Sequence, residues 1–277
     1  QCPKLYHTFV PQGARVISSK KLALTIGIKA AHYDYILLTD ADCRPESRTW
    51  IREMMGGFAD ENTEIVLGFS PYFEHDTLLS RLISYDTLWT GLLYMGMARS
   101  GHPYMGVGRN LAYRRGTFFA NNGFQGLLSE RSGDDDLFVN KVATKKNTSV
   151  VCSRGSLTWS SPKKTWREWM QQKRRHLSVS PLYRASSKLR IGMEPLMRGA
   201  LYGLLIVSAV YGGWCAYLAL GVWLVRYLVQ GIILSVATWR LGLKHFGIEM
   251  VVYDLVLPII TLCILITKKL RRVPVYW

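Results

Sequence analysis

The sequence predicts an α/β domain over residues 1–190 followed by a membrane domain of two or three helices over residues 191–277. Three observations carry this reading. From Ser18 onward, a segment of helical period alternates with short apolar runs that end in polar turns, the pattern of a layered α/β domain. From Gly199 to Val225, "GALYGLLIVSAVYGGWCAYLALGVWLV" carries no charged residue and exceeds the about 20 residues needed to cross a bilayer core. From Met250 to Thr267, a second apolar run is interrupted only by Asp254 and Pro258 and ends in the basic "KKLRR".

In the first domain, "SSKKLALTIGIKAAHYD" places Leu22, Ala23, Ile26 and Ala30 at helical spacing. "YILLTD", Tyr35 to Asp40, is a short apolar run of the kind expected for a central strand of a parallel sheet buried on both faces. A turn "DADCRP", a helical stretch "ESRTWIREMMGGFAD" and a strand "TEIVLGFSPYF" follow. "YMGVGRNLAYRRGTFF", residues 104–119, is punctuated by Gly106 and Gly108 and lacks the third glycine of a dinucleotide fingerprint. It reads either as a loop that lets backbone approach a ligand or as a tight turn feeding the next element. A strand-like "TSVVCS" comes after the acidic "GDDDLF".

In the second domain, the 13-residue "YLVQGIILSVATW" is bracketed by Arg226 and Arg240 and reads as a short span or an interfacial helix. Arg184, Lys188, Arg190 and Arg198 place the start of the first span on the cytoplasmic side, and "KKLRR" places the chain's end there too. An even number of crossings satisfies both.

Charge limits the function. With 35 Lys and Arg against 19 Asp and Glu, the net charge of +16 calls for an anionic partner or surface. Nine Lys or Arg and a single acid, Glu168, fall between Lys163 and Arg190, interleaved with Trp166 and Trp169. This stretch could bind a diphosphate or sit on anionic lipid. No nucleic-acid partner is expected, because the basic residues cluster beside a membrane span and no base-reading module is present. Cys2, Cys43, Cys152, Cys215 and Cys263 are scattered, without metal-ligand spacing, and fit a reducing compartment.

Two acidic sites stand out against this background. Asp40 and Asp42 sit at the carboxyl end of a strand, the edge where ligands bind in such sheets. An Asp-x-Asp turn can converge on one hard cation, magnesium or manganese, and leave positions open for phosphate oxygens; it can also be no more than an acidic surface turn. Asp134, Asp135 and Asp136 crowd three carboxylates after Gly133. Like charges raise the proton affinity of a carboxylate, which suits one of them to act as a base. Acids are also favoured at a helix start. Arg174 and Arg175 in "QQKRRH" suit bidentate contacts with phosphate oxygens.

In their order, "KKLALTIGIKAA", "TDADCRP", "GVGRNLAYRR", "GDDDLF" and "QQKRRH" resemble the family 2 glycosyltransferases over about residues 8–190. The resemblance implies a GT-A-like, Rossmann-like nucleotide-diphospho-sugar transferase domain and an inverting, metal-dependent transfer to a lipid-linked or saccharide acceptor. It implies metal ligands at Asp40 and Asp42, with Asp42 the more direct, and a catalytic base at Asp134, with Asp135 as competitor and Asp136 as a helix-start residue. Gln172, Arg174, Arg175 and His176 would hold the donor diphosphate, Gly108, Arg109 and Asn110 would lie in the acceptor region, and Lys20 and Lys21 in the donor region.

The chain departs from the family pattern twice. Gly133 replaces a Glu, and His176 replaces the Trp of Gln-x-x-Arg-Trp, which favours transfer of a single sugar over processive synthesis. The family's first strands have no match here, so roughly 60 or more residues of such an α/β unit are expected before Gln1, and the chain alone is not expected to be complete. The resemblance also implies a multi-pass protein of the cell's inner membrane with a cytoplasmic catalytic domain, serving envelope polysaccharide or glycolipid assembly. The competing reading is a non-catalytic membrane scaffold that binds anionic lipid or an assembly partner through the basic juxtamembrane segment.

Overall fold

The computed structural model describes Tyr6, residues 18–128, Glu130 and residues 132–270, with side chains as far as residue 267. Cys2, the opening segment, and Arg271 and Arg272 of the terminal basic run lie outside the described residues. The chain divides into two compact units: Gln1–Phe73 with Leu88–Tyr183, and Glu74–Thr87 with Arg184–Trp277.

In chain order the first unit holds α1 (Ser19–Ala30), β1 (Tyr35–Leu38), β2 (Arg44–Pro45), α2 (Trp50–Gly56) and β3 (Ile65–Leu67). The later part of α3 (Leu78–Arg99) follows, then β4 (Leu111–Arg114), α4 (Arg115–Ala120), α5 (Asp136–Val142), β5 (Thr148–Val150), β6 (Thr158–Trp159) and α6 (Trp166–Val179). It is a mixed α/β fold. Among the described residues, four strands form a sheet in the order β1-β4-β3-β5, and β2 pairs with β6 in a small ribbon. Sequence patterning assigns no element to Leu78–Arg99, which forms one long helix.

The expectation for "YILL" is corrected. Among the described residues β1 has no parallel partner: it runs antiparallel to β4, with Ile36 opposite Tyr113 and Leu38 opposite Leu111. Tyr35 is exposed and Ile36, Leu37 and Leu38 are half-buried. The fully buried strand is β3, flanked by β4 and, in parallel, by β5. An apolar run reports that a strand touches a core, and not how many strands flank it.

Against this sheet α2 packs Trp50 and Met54, one helical turn apart, with Phe58, Val66 and Ala112, joined by the half-buried Leu37, Met55 and Val151. Each large apolar side chain withdrawn from water here contributes roughly 1.5–3 kcal/mol. Asn110 is the polar centre of this core. Its Oδ1 accepts from Trp50 Nε1 at 3.0 Å, and its Nδ2 donates to the carbonyls of Phe69 and Ser156 at 2.8 and 2.7 Å.

The second unit carries α7 (Ala185–Tyr211), α8 (Gly213–Leu241) and α9 (Glu249–Leu270). Three helical segments, Ala185–Tyr211, Trp214–Leu241 and Glu249–Thr267, are long and apolar enough to cross a membrane. Large apolar side chains such as Val210, Tyr217, Ile232 and Ile259 face outward, as lipid-facing positions would. The uncharged run from Gly199 to Val225 is therefore not one span. Gly212 and Gly213 adopt φ of +68° and +66°, a region L side chains disfavour, and split the run between α7 and α8.

Tyr227 to Trp239, read from sequence as a short separate element, instead continues α8 through Arg226. That arginine is tolerated because its Nη2 pairs with Asp254 Oδ2 at 2.9 Å. Three helices of spanning length, rather than an even number, stand among the described residues. The boundary expected between residues 190 and 191 falls inside the continuous α7, and the compact units divide instead between Tyr183 and Arg184.

Asp254, almost wholly buried on α9, ties the second unit together. Arg198 of α7 pairs with its Oδ1 at 3.1 Å. Tyr202 and Tyr227 donate their hydroxyls to Oδ2 at 3.1 and 3.0 Å. Gln230 donates to Oδ1 at 3.3 Å and to the hydroxyl of Tyr85 at 2.7 Å. Charged groups at such positions persist only when paired.

Candidate active site

The two acidic motifs come together through one lysine. Asp40 and Asp42 lie on the turn after β1, which is closed by the Cys43 amide donating to the Asp40 carbonyl at 3.0 Å. Lys20, in the first turn of α1, places its ammonium 3.4 Å from Asp40 Oδ1 and 2.9 Å from Asp134 Oδ2. Burial alone would push this ammonium toward losing its proton, but Asp134 and then Asp40 outweigh that and hold its pKa above the ordinary lysine value.

The three consecutive aspartates have three different environments. Gly133 precedes them at φ +87°, and a Cβ there would come within 2.4 Å of Leu137 Cδ1, so the backbone itself excludes the Glu of the related pattern. Asp134 presents its carboxylate to Lys20. Asp135 is the N-cap of α5: its Oδ1 accepts from the Asp136 amide at 2.8 Å and its Oδ2 from the Gly108 amide at 2.6 Å. Burial, then the charge of Asp134, raises the Asp135 pKa. Gly108 eases that approach, since a Cβ there would sit a tight 3.2 Å from Asp135 Oδ2.

Asp136 opens α5 as expected of a helix-start residue, but it is buried. Its Oδ1 accepts from the Leu137 amide at 2.8 Å and its Oδ2 from the Tyr183 hydroxyl at 2.7 Å. Burial, then the neighbouring Asp135, push its carboxyl up to about 7. A folded pKa above the ordinary carboxyl value of about 3.9 makes a stability contribution that is complete below about pH 3.9 and lost as pH rises through about 7. The thermal midpoint should therefore fall over that window, and Asp136→Asn should flatten the fall. A variant that keeps the full slope would refute this assignment.

Three residues named from the sequence do not reach this site. Lys21 is buried, and its ammonium donates to the carbonyls of Glu130 and Ser132, the second at 2.7 Å. It therefore anchors the loop before Asp134 instead of facing a donor. Asn110 is consumed by the core and is closed to any acceptor. Arg174 stands exposed two residues from Gln172, on the opposite side of α6, because helix neighbours recur at three and four residues and not at two.

Gln172, Arg175 and His176 do share a face of α6. The helix starts at a capping box in which Thr165 accepts from the Glu168 amide and Glu168 from the Thr165 amide, which fixes where that face points. Gln172 Nε2 donates to the Tyr72 hydroxyl at 3.0 Å. His176 is exposed, yet crowding by protein atoms, then the charges of Lys173, Arg175, Arg109 and Lys20, lower its pKa from the usual imidazole range. It is a neutral group amid cations. Tyr72 and Ser160 carry no motif and are invisible to sequence reasoning. Their backbones form an isolated bridge, and Ser160 Oγ donates to Asp42 Oδ2 at 3.3 Å.

Asp40 and Asp42 offer hard oxygen donors on a single turn, and a cation, the Lys20 ammonium, already rests against one of them. No group of three or more His, Cys, Asp or Glu side chains gathers as a closed metal site among the described residues. This donor set fits magnesium or manganese held jointly by one or two carboxylates and substrate phosphates, the usual way such ions bind.

A family model described as glycosyl transferase family 21 matches residues 2–271. This places sugar transfer in common with the family 2 resemblance, under a different family number. No curated protein sequence matches the chain. Among solved structures, a similar chain is the mannosyltransferase PcManGT from Pyrobaculum calidifontis in complex with GDP-Man and Mn2+. It is 15% identical with a TM-score of 0.47, and the match covers 87% of this chain and 64% of that one. The present chain thus spans less than two thirds of that structure's length.

Proposed function

The chain belongs to glycosyl transferase family 21, and from that premise we propose that it moves a sugar from a nucleotide-diphosphate donor to a hydroxyl acceptor, with inversion and with a divalent cation. The observation that carries this reading is the Lys20 bridge, which brings the Asp-x-Asp turn and Asp134 to one place. A scaffold that bound lipid through its basic segment would have no use for that convergence. The motif order shared with family 2 supports the same residue roles.

Transfer has two physical requirements: charge growing on the departing diphosphate must be stabilised, and a proton must leave the acceptor hydroxyl. Asp42, with Asp40, would hold a divalent cation, which supplies Lewis-acid stabilisation of the diphosphate when bound. Arg175 and Gln172, on the common face of α6, would add hydrogen bonds to the same oxygens. Neutral His176 among cations would add a polar contact without further charge. Asp134 accepts the acceptor's proton as general base. Attack from the side opposite the nucleotide inverts the anomeric centre. Asp135, bound to two backbone amides, holds the loop that aims Asp134 and leaves the proton transfer to it.

The apolar helices suit a lipid-linked acceptor or product, as in envelope polysaccharide or glycolipid assembly, with the catalytic unit on the cytoplasmic face of the inner membrane. The test uses the full-length protein in detergent with a panel of nucleotide-sugars, a lipid extract as acceptor, and Mn2+ or Mg2+. We expect nucleoside diphosphate release with at least one donor, abolished by chelation, and Asp42→Ala should lose metal-dependent donor binding in calorimetry. Absence of metal-dependent binding and turnover across the panel would overturn the reading.

A further inference from the structure

Arg109 follows the glycine that meets Asp135, and its guanidinium is unusually placed. It lies over the Tyr72 ring, 4.2 Å from the centroid, and its Nη2 donates to the Ser70 carbonyl at 3.1 Å. Its Nη1 is buried and has no hydrogen-bond partner among the described residues. The ion pairs formed among those residues also leave it without a carboxylate. A buried cationic N–H without an acceptor is costly, and such groups normally find one.

The arginine is also held rigidly. The Arg109 carbonyl accepts from Thr158 Oγ1 at 2.9 Å, and the next residue, Asn110, is locked in the core. The Tyr72 ring beneath it is held by Gln172 on α6, and the Tyr72 backbone bridges to Ser160, whose hydroxyl reaches Asp42. Through Tyr72 the guanidinium is therefore linked both to the Asp-x-Asp turn and to the Gln172 face, the two places that the proposed reaction assigns to the donor's diphosphate. Stacking on Tyr72 holds the guanidinium plane and orients its fork, the arrangement that suits phosphate oxygens and that a lysine cannot reproduce.

We propose that Arg109 binds the donor diphosphate, with its unmet Nη1 as the donating atom and Tyr72 as its positioning residue. This moves Arg109 from the acceptor region to the donor site and rests on the nucleotide-sugar transferase reading.

The test is calorimetric binding of pyrophosphate with Mn2+ to full-length protein in detergent, alongside thermal melting and the KM values for donor and acceptor. Arg109→Gln and Arg109→Lys should each weaken pyrophosphate binding by about tenfold or more and raise the donor KM while leaving the acceptor KM unchanged. Should the Gln variant fail to fold, the Lys variant, which keeps the charge but loses the fork, carries the same expectation. Tyr72→Phe should give a smaller loss through the broken Gln172 contact. Unchanged pyrophosphate binding in a folded Arg109 variant, or a rise confined to the acceptor KM, overturns the assignment while the transferase reading stands. A wild-type protein that binds neither pyrophosphate nor any nucleotide-sugar overturns both.

Discussion

Asp134→Asn in the full-length protein is expected to lower sugar transfer by about 10²- to 10⁴-fold, the range for removal of a positioned general base. The expectation follows from what the three adjacent carboxylates are doing. Asp135 accepts from two backbone amides, and Asp136 is buried against Tyr183 and the Leu137 amide. Asp134 pairs instead with Lys20, a side chain that can move and that touches the Asp-x-Asp turn as well. Asparagine preserves size and cannot take the proton, so the loss should fall on kcat with little change in melting temperature. Asp135→Ala should behave in the opposite sense, losing on the order of 0.5–2 kcal/mol of stability as a lost helix cap. An Asp134→Asn enzyme with a normal rate would end the assignment.

Asp254→Ala is expected to cost about 3–5 kcal/mol, the range for removing one partner of a buried ion pair. Here one carboxylate serves Arg198, Arg226, Tyr202, Tyr227 and Gln230, drawn from two other helices. Its removal leaves the Arg226 guanidinium without its carboxylate, while Arg198 keeps Glu194. Asp254→Asn keeps an acceptor for the tyrosine hydroxyls and should cost less, and the double change of Asp254 and Arg226 to apolar residues should recover part of the loss. Resistance to unfolding in mixed detergent reads this directly. A variant as stable as the parent protein would show that the pairing contributes nothing.

Sequence patterning already carried the class of fold, the presence of helices long and apolar enough to cross a membrane, and the acidic motifs, because each depends on local order. Apolar runs, period and spacing are properties of neighbours in the chain. The position of Gly133 and the start of α5 at Asp136 were legible for the same reason. What the patterning could not carry was which residues separated by dozens of positions would meet. Lys20 and Lys21 are adjacent in the chain, yet one reaches two carboxylates and the other two carbonyls, because successive helix positions point in different directions. Arg174 and Arg175 divide for the same reason.

Likewise "YILL" announced a strand but not its antiparallel pairing with β4, and the long uncharged run announced apolar helix but not the break at Gly212 and Gly213. Asp254 looked like an interruption of an apolar run until two other helices brought arginines and tyrosines to it. Local order along the chain fixes which side-chain chemistry is present and on which kind of element it falls. The three-dimensional arrangement set which carboxylate accepts from backbone amides, which pairs with Lys20, and which charges meet. Those outcomes depend on distances of a few ångströms between residues remote in the chain, where burial and Coulomb terms are settled.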